Sequence, residues 1–183
     1  MKTILIILSL LLFAASLSAA AEPDRIAILL NEPTLKALDE TLRTYMADVE
    51  ARFPVKLGIV ARDWKTPEEV RATIGKLHRE NAIAGVVLVG AMPMHHFFMH
   101  EHPNPNPLYY EDFDLEFVDH NADGVDDAYR GYPELKIWVA NIRATEKANQ
   151  DDLPALRRFF AKTHDYYTGK AVPELRTLLF STD

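Results

Sequence analysis

The sequence contains no cysteine among its 183 residues. This absence excludes disulfide bonds as a source of stability, and it excludes a cysteine nucleophile within these residues. Basic residues are also in the minority, with 20 Lys and Arg against 27 Asp and Glu and a formal net charge of −7. Binding to nucleic acid normally requires a basic surface that pairs with phosphates, so we expect no nucleic-acid partner.

The longest apolar run lies at the amino-terminal end. It covers residues 4–15, follows Lys2, and is followed by the small residues Ser18 to Ala21. The run is shorter than the about 20 residues that span a bilayer, and the whole pattern is typical of a secretory signal peptide. We therefore predict a signal peptide over residues 1–21 and an exported domain over residues 22–183, whether periplasmic, secreted or at the cell surface. No transmembrane segment is expected after cleavage.

Short apolar runs alternate with helical patterns through the first half of the domain. Residues 25–30, 55–60 and 84–90 read as buried strands. Thr34 is predicted to cap the first helix, and Thr66 is predicted to cap the second in a capping box with Glu69. Two strand–helix–strand units in succession predict an α/β fold with a parallel sheet flanked by helices.

The second half continues the alternation less regularly. A fourth strand is predicted at 135–140, followed by a helix that Asn149 or Asp151 caps and that Gly169 ends. A fifth strand is predicted at 176–180. The apolar side of the helix is expected to be core and contains Leu153, Leu156, Phe159, Phe160, Thr163, Tyr166 and Tyr167. Because a terminus follows the fifth strand directly, the domain is expected to be incomplete at the C-terminus.

The most specific chemical motif is an oxygen-rich loop with the pattern D-x-N-x-D-G-x-x-D. Calcium takes six to eight oxygen ligands, and alternate side chains of a tightly turning loop can converge on one ion, with glycine sixth at the sharp turn. Arg130 stands at the twelfth position, where a helix–loop–helix calcium site has glutamate, so a free-standing loop is favoured. A solvated acidic turn is the alternative. The predicted metal ligands are Asp119, Asn121, Asp123, Val125 through its carbonyl, and Asp127. Further ligands could come from Asp112, Asp114, Glu116 or Asp126.

A second candidate metal site lies between residues 92 and 108. His95, His96, His100 and His102 stand near Glu101, and such a set could bind zinc or copper. The spacing matches no established ligand pattern, and the alternative is a surface loop that is rich in histidine and methionine. Three prolines, at 103, 105 and 107, predict no regular structure in the second half of this segment. His96 and His100 would share one face if the first half were helical.

Several segments, taken in order, resemble the gingipain-type (C25-like) cysteine peptidases. The run 85–90 is similar to that family's central strand, 108–112 (L-Y-Y-E-D) to its L-Y-Y-x-D segment, and the loop 119–127 to its acidic insertions. Tyr132-Pro133-Glu134 with the segment 139–142 resembles its Y-P-E and V-G-R-I elements, although Asn141 replaces the arginine and Ala140 the glycine. The helix that ends in 165–167 also matches the order. This resemblance implies a caspase/gingipain-like three-layer sandwich, and a peptide or protein substrate only if the downstream half of the domain exists.

The resemblance places the family's catalytic histidine and cysteine beyond Asp183. We therefore expect a secreted, calcium-stabilised, amino-terminal part of a gingipain-like catalytic domain, inactive as a peptidase in these residues. The alternative is a non-catalytic exported protein that binds calcium, zinc or both. A receiver-like or flavodoxin-like domain is a third reading, but Asn31-Glu32 supplies only one acidic residue after the first strand.

Overall fold

A computed structural model describes residues 22–99, 101–143 and 152–171. Four parallel strands form the central sheet in the order β2-β1-β3-β8. The predicted α/β class with a parallel sheet flanked by helices is confirmed. The strands are β1 (Asp24–Leu30), β2 (Val55–Ala61), β3 (Ile83–Val89), β4 (His96–Met99), β5 (His102–Pro105), β6 (Glu116–Val118), β7 (Ala128–Arg130) and β8 (Trp138–Ile142), and the helices are α1 (Glu32–Arg52), α2 (Pro67–Asn81), α3 (Leu108–Glu111) and α4 (Leu153–Tyr167).

The sheet buries both of its faces. On one face, Ile28 and Val87 pack with Leu38 of α1 and with Leu156 and Phe160 of α4. On the other face, alternate residues of the same strands pack against α2 and the short helix α3. Because successive side chains of a strand point to opposite faces, this double burial explains why β1 and β3 read as continuous apolar runs.

The two long helices that follow β1 and β2 begin differently from each other. The capping box of α2 is confirmed, because Thr66 Oγ1 accepts the Glu69 N–H at 3.3 Å. The prediction that Thr34 caps α1 is wrong, because the helix begins two residues earlier at Glu32 with Asn31 as its N-cap. Pro33 fits inside the first turn, where a missing N–H costs nothing, so the helix can start before the threonine.

The prediction that the second, proline-rich half of the segment between residues 92 and 108 has no regular structure is also wrong. Strands β4 and β5 pair as an antiparallel hairpin, in which His96 faces Pro105 and Phe98 faces Pro103. Proline is tolerated there because β5 is an edge strand, whose outward side needs no N–H donor. Since β4 is a strand, His96 does not lie on a helical face, and His100 lies outside the described residues.

The fourth strand of the sheet begins later than predicted, at Trp138 rather than Leu135. The Lys136 N–H donates to the Glu111 carbonyl at 2.9 Å, so the preceding residues pair with α3 instead of with the sheet. Trp138 lies opposite Gly85 of β3, and a Cβ atom at Gly85 would overlap the Trp138 indole. Glycine at 85 therefore permits the close approach of β8.

Helix α4 confirms only part of the predicted apolar side. Leu156 and Phe160 are buried, whereas Phe159 and Tyr166 are about half exposed. Gly169 adopts the left-handed conformation expected of a helix stop, with φ at 76°. The N-cap is Asp152, and the predicted caps Asn149 and Asp151 and the predicted fifth strand lie outside the described residues. Among the described residues, no helix is both long and apolar enough to cross a bilayer.

Candidate cation-binding loop

The oxygen-rich loop closes a short antiparallel ribbon. Strands β6 and β7 pair directly, with Val118 opposite Ala128, and the Asp127 N–H donates to the Val118 carbonyl at 3.0 Å. The loop between them turns sharply at Gly124, whose φ of 89° lies in the left-handed region. The prediction that the sixth loop position requires a residue without Cβ is therefore confirmed.

Asp119 turns its carboxylate toward the backbone of the loop. Its two oxygens accept the Gly124 N–H at 2.8 Å and the Asp123 N–H at 3.3 Å. The Gly124 hydrogen bond is the main cause of a lowered pKa for Asp119. The carboxylate is therefore ionised and fixed in direction at neutral pH, as a first ligand of a hard cation needs to be.

Asn121 and Asp123 continue the same inward turn. Asn121 Oδ1 accepts the Asp123 N–H at 3.0 Å, and Asn121 Nδ2 donates to Asp123 Oδ2 at 3.0 Å. Asp123 Oδ1 in turn accepts the Val125 N–H at 2.9 Å. Three of the predicted ligand side chains, those of Asp119, Asn121 and Asp123, thus form one exposed hydrogen-bonded cluster.

The other predicted ligand side chain turns away from this cluster. Asp127 Oδ1 accepts from the His120 backbone N–H at 3.2 Å and contacts His120 Nδ1 at 2.8 Å. Within residues 22–99, 101–143 and 152–171, no three His, Asp or Glu side chains lie close enough to hold a metal ion as they stand. An ion that Asp127 also ligates would therefore require this carboxylate to turn away from His120.

The four residues proposed as supplementary ligands are engaged elsewhere. Asp112 is fully buried, Asp114 pairs with Lys136 at 3.1 Å, and Glu116 pairs with Arg130 at 3.1 Å. Asp126 contacts His95 Nε2 at 2.7 Å. Water or loop carbonyls, rather than these carboxylates, would have to complete the coordination of an ion.

The end of the loop is fastened to the β4–β5 hairpin through Asp126. Besides its contact with His95, Asp126 accepts the Phe98 N–H on its backbone carbonyl at 2.8 Å, and it forms an isolated bridge with Phe97. Sequence reasoning considered Asp126 only as a possible ligand. Its contact with His95 joins residues 31 positions apart, and no local pattern signals such a pair.

His95 is a core residue rather than an exposed ligand. It is only 7% exposed, and its ring stacks on Tyr109 with centroids 3.8 Å apart. Burial lowers its pKa in spite of the opposing effect of the Asp126 carboxylate. A neutral ring that donates from Nε2 to Asp126 leaves Nδ1 as an acceptor, and this atom is buried without a partner among the described residues.

The described histidines of this segment do not converge on one point. His95 points into the core, while His96 and His102 are exposed on the hairpin. His96 is paired with Pro105, and His102 is paired with Met99. Paired residues share a face and neighbouring residues alternate, so His96 and His102 lie on opposite faces of the hairpin. This arrangement offers no support for zinc or copper binding by the described histidines.

The L-Y-Y-E-D segment is structural throughout. The Tyr110 hydroxyl accepts the His95 N–H at 2.9 Å and donates to the Pro93 carbonyl at 2.9 Å. The Asp112 carboxylate accepts the N–H groups of Glu134 and Asp114 at 2.7 and 2.9 Å. Tyr110 therefore ties α3 to residues 93–95, and Asp112 ties the end of α3 to residues 114 and 134. Both side chains are engaged with backbone groups.

The carboxyl ends of β1 and β3, where open α/β sheets usually bind ligands, are closed by side chains. Asn31 Nδ2 donates to the Ala91 carbonyl at 3.1 Å, and Asn31 Oδ1 accepts the Trp64 N–H at 3.2 Å. The Trp64 indole N–H donates to the Leu30 carbonyl at 2.9 Å. Asn31, which directly follows β1, is therefore engaged in holding two loops together.

Comparisons of this chain with protein-family models, with curated proteins and with solved structures found no match.

Proposed function

We propose that this chain is an exported α/β domain whose Asp119–Asp127 loop binds calcium as a structural ion. The observation that supports the proposal is the inward orientation of Asp119, Asn121 and Asp123 around a left-handed Gly124. The atoms that these three side chains would offer to a cation are oxygen atoms. Calcium prefers oxygen ligands, whereas transition metals also take nitrogen and sulfur ligands. The bound ion would stabilise the β6–β7 ribbon, in a chain that has no disulfide to do so.

Calcium titration of the chain tests this proposal. We expect a dissociation constant in the micromolar range or tighter. An ion at about one hundred times its dissociation constant stabilises the folded state by about 2.7 kcal/mol, which for a chain of this size raises the melting temperature by roughly 5–10 °C. Calorimetry gives the affinity and thermal unfolding gives the stabilisation.

Two substitutions and one control test where the ion binds. Asp123→Ala is expected to abolish calcium binding, because it removes a ligand at the centre of the cluster. Asp63→Ala is the matched control, since its carboxylate lies outside the loop and is 68% exposed. His120→Ala is expected to preserve or tighten binding, because it frees Asp127 to turn inward. Equal calcium affinity in wild type and Asp123→Ala would contradict the proposed site, and no heat or stabilisation in wild type would contradict calcium binding altogether.

We further propose that the domain is the amino-terminal part of a gingipain-like cysteine peptidase domain. The sheet order β2-β1-β3-β8 with helices on both faces is compatible with such a three-layer fold, and the chain order of the resembling segments supports it. Acyl transfer in that family requires a thiolate and a histidine. Because the chain has no cysteine, the nucleophile would have to come from downstream sequence.

The coding sequence after Asp183 decides between this context and a non-catalytic binding protein. A peptidase requires a downstream His-Gly turn and then a cysteine at the end of a later strand. A stop codon directly after Asp183, or a continuation without either residue, would contradict the peptidase proposal and leave the calcium proposal intact. Hydrolysis of Arg- or Lys-containing peptides by these 183 residues alone would contradict the expectation that they are inactive.

A further inference from the structure

Both outer strands of the sheet have an outward-facing N–H group that a glutamate side chain accepts. On β2, the Leu57 N–H donates to Glu50 Oε1 at 2.8 Å. On β8, the Val139 N–H donates to Glu111 Oε1 at 3.0 Å. Within the part of the chain that the structure describes, no other strand pairs with the outer side of either one. The same device therefore occurs at both edges.

We propose that Glu50 and Glu111 block the addition of a strand from a second copy of this chain to β2 and β8, the outer strands of the sheet in the described residues. An added strand must place one of its own carbonyl oxygens on the N–H that the carboxylate already accepts. It would also bring that carbonyl dipole against a negative charge. An unprotected strand edge is a template for pairing with another chain, and charged side chains at the edge are a known means of preventing it.

The β2 edge shows why such closure is needed. Grooves with both apolar and charged linings run along β2 on the two sides of the sheet. One is lined by Leu35 and Met46 of α1 and also by Asp39, Arg43 and Glu50. The other is lined by Leu77 of α2 and also by Arg25 and Lys56. A Cβ atom at Gly58 would meet nothing within 4 Å, so another backbone can approach closely there. An added strand would find hydrogen-bonding groups and apolar surface at the same place.

A second copy is the occupant that fits this edge. Strand β2 itself carries apolar side chains on both faces, with Leu57 and Ile59 on one and Val60 on the other. The β2 strand of a second molecule would therefore offer apolar residues to both grooves at once. A pairing of β2 with β2 also satisfies the two-fold symmetry that most homodimers adopt.

Each glutamate makes a further contact near its strand. Lys56 Nζ binds Glu50 Oε2 at 2.8 Å, so one glutamate bridges the backbone and a lysine of the same edge strand. Glu111 lies at the end of α3, and its carbonyl accepts the Lys136 N–H at 2.9 Å just before β8 begins. The two caps come from different elements, and so they are independent of each other.

Alanine and glutamine substitutions separate the hydrogen bond from the charge. We expect the wild-type chain to be monomeric in sedimentation, and we expect Glu50→Ala with Glu111→Ala to self-associate at least about tenfold more tightly, a change of about 1.4 kcal/mol. Glu50→Gln with Glu111→Gln should stay monomeric, because the glutamine Oε1 can accept the same N–H. Glu40→Ala, an exposed change of the same charge on α1, should also stay monomeric.

Four results would overturn the proposal. These are a wild-type chain that already dimerises through β2, alanine variants that remain monomeric, glutamine variants that associate as strongly as the alanine ones, and association of the Glu40→Ala control. If the double alanine variant does not fold, Glu50→Ala alone decides, because β2 is the edge with grooves on both faces. Circular dichroism of each variant establishes that it is folded.

Discussion

Replacing Tyr110 by alanine is expected to lower the free energy of unfolding by about 3–5 kcal/mol. Tyr110 is fully buried, and its ring packs edge-on against Tyr109 with centroids 5.3 Å apart. Removal of the ring leaves a cavity in the core and removes the hydroxyl that bridges the His95 N–H and the Pro93 carbonyl. For a chain of this size, each 1 kcal/mol corresponds to about 2–4 °C in melting temperature, so thermal unfolding will resolve the effect.

Tyr110→Phe separates the hydroxyl from the ring. It keeps the packing but leaves the buried His95 N–H without its acceptor, so a loss of about 1–3 kcal/mol is expected. Tyr132→Ala is the matched control, because Tyr132 is 94% exposed and exposed substitutions usually change stability by less than about 0.5 kcal/mol. A Tyr110→Ala variant as stable as the Tyr132→Ala variant would contradict the structural role of the L-Y-Y-E-D segment.

The parallel sheet and its flanking helices can be predicted from the sequence because the patterns that indicate them involve residues close together in the chain. The Thr66–Glu69 capping box involves residues three positions apart, and the buried strands β1 and β3 are apolar at nearly every residue. Hydrophobic periodicity and capping therefore predict the parallel sheet and its flanking helices. The left-handed turn at Gly124 is predictable for the same reason, since it is set by the loop's own spacing.

The features that sequence reasoning missed are the ones that depend on distant partners. The hairpin at Pro103 and Pro105 exists because β5 pairs with β4 and leaves its other side free of pairing among the described strands. His95 reads as one of several histidines, and only its contact with Asp126 separates it from the exposed ones. Glu50 and Glu111 likewise read as ordinary surface carboxylates until the strand edges are known.

Asp112 illustrates the same limit with a larger energetic consequence. The acidic run around it suggested a metal ligand, yet the residue is fully buried and binds the Glu134 N–H, 22 residues away. Substitution of Asp112 by alanine removes the carboxylate that accepts the N–H groups of Glu134 and Asp114. Both hydrogen bonds are only partly buried, so the loss of each costs less than the about 1–3 kcal/mol of a fully buried donor. Asp112→Ala is expected to destabilise the chain by about 1–3 kcal/mol in total in urea unfolding at pH 7.

The Asp112 carboxylate should also make stability depend on pH in a defined direction. Burial opposes its ionisation, but the hydrogen bonds from Glu134, Asp114 and Leu115 and the charge of Lys136 prevail, and its pKa is lowered. A group whose pKa is lower in the folded state binds its proton more readily when unfolded. Its contribution is therefore fully present above the unfolded value of about 3.9 and is lost as the pH falls through the lower, folded value.

Asp112→Asn tests this dependence because asparagine keeps the shape but cannot ionise. The stability difference between wild type and Asp112→Asn, measured by urea unfolding, should be constant from pH 7 to about 5 and should shrink below about pH 4. Asp63→Asn is the control, since the Asp63 side chain is exposed and pairs with the exposed Lys65. A difference that stays constant down to about pH 2 would contradict the expectation that the ionised form of Asp112 contributes to stability.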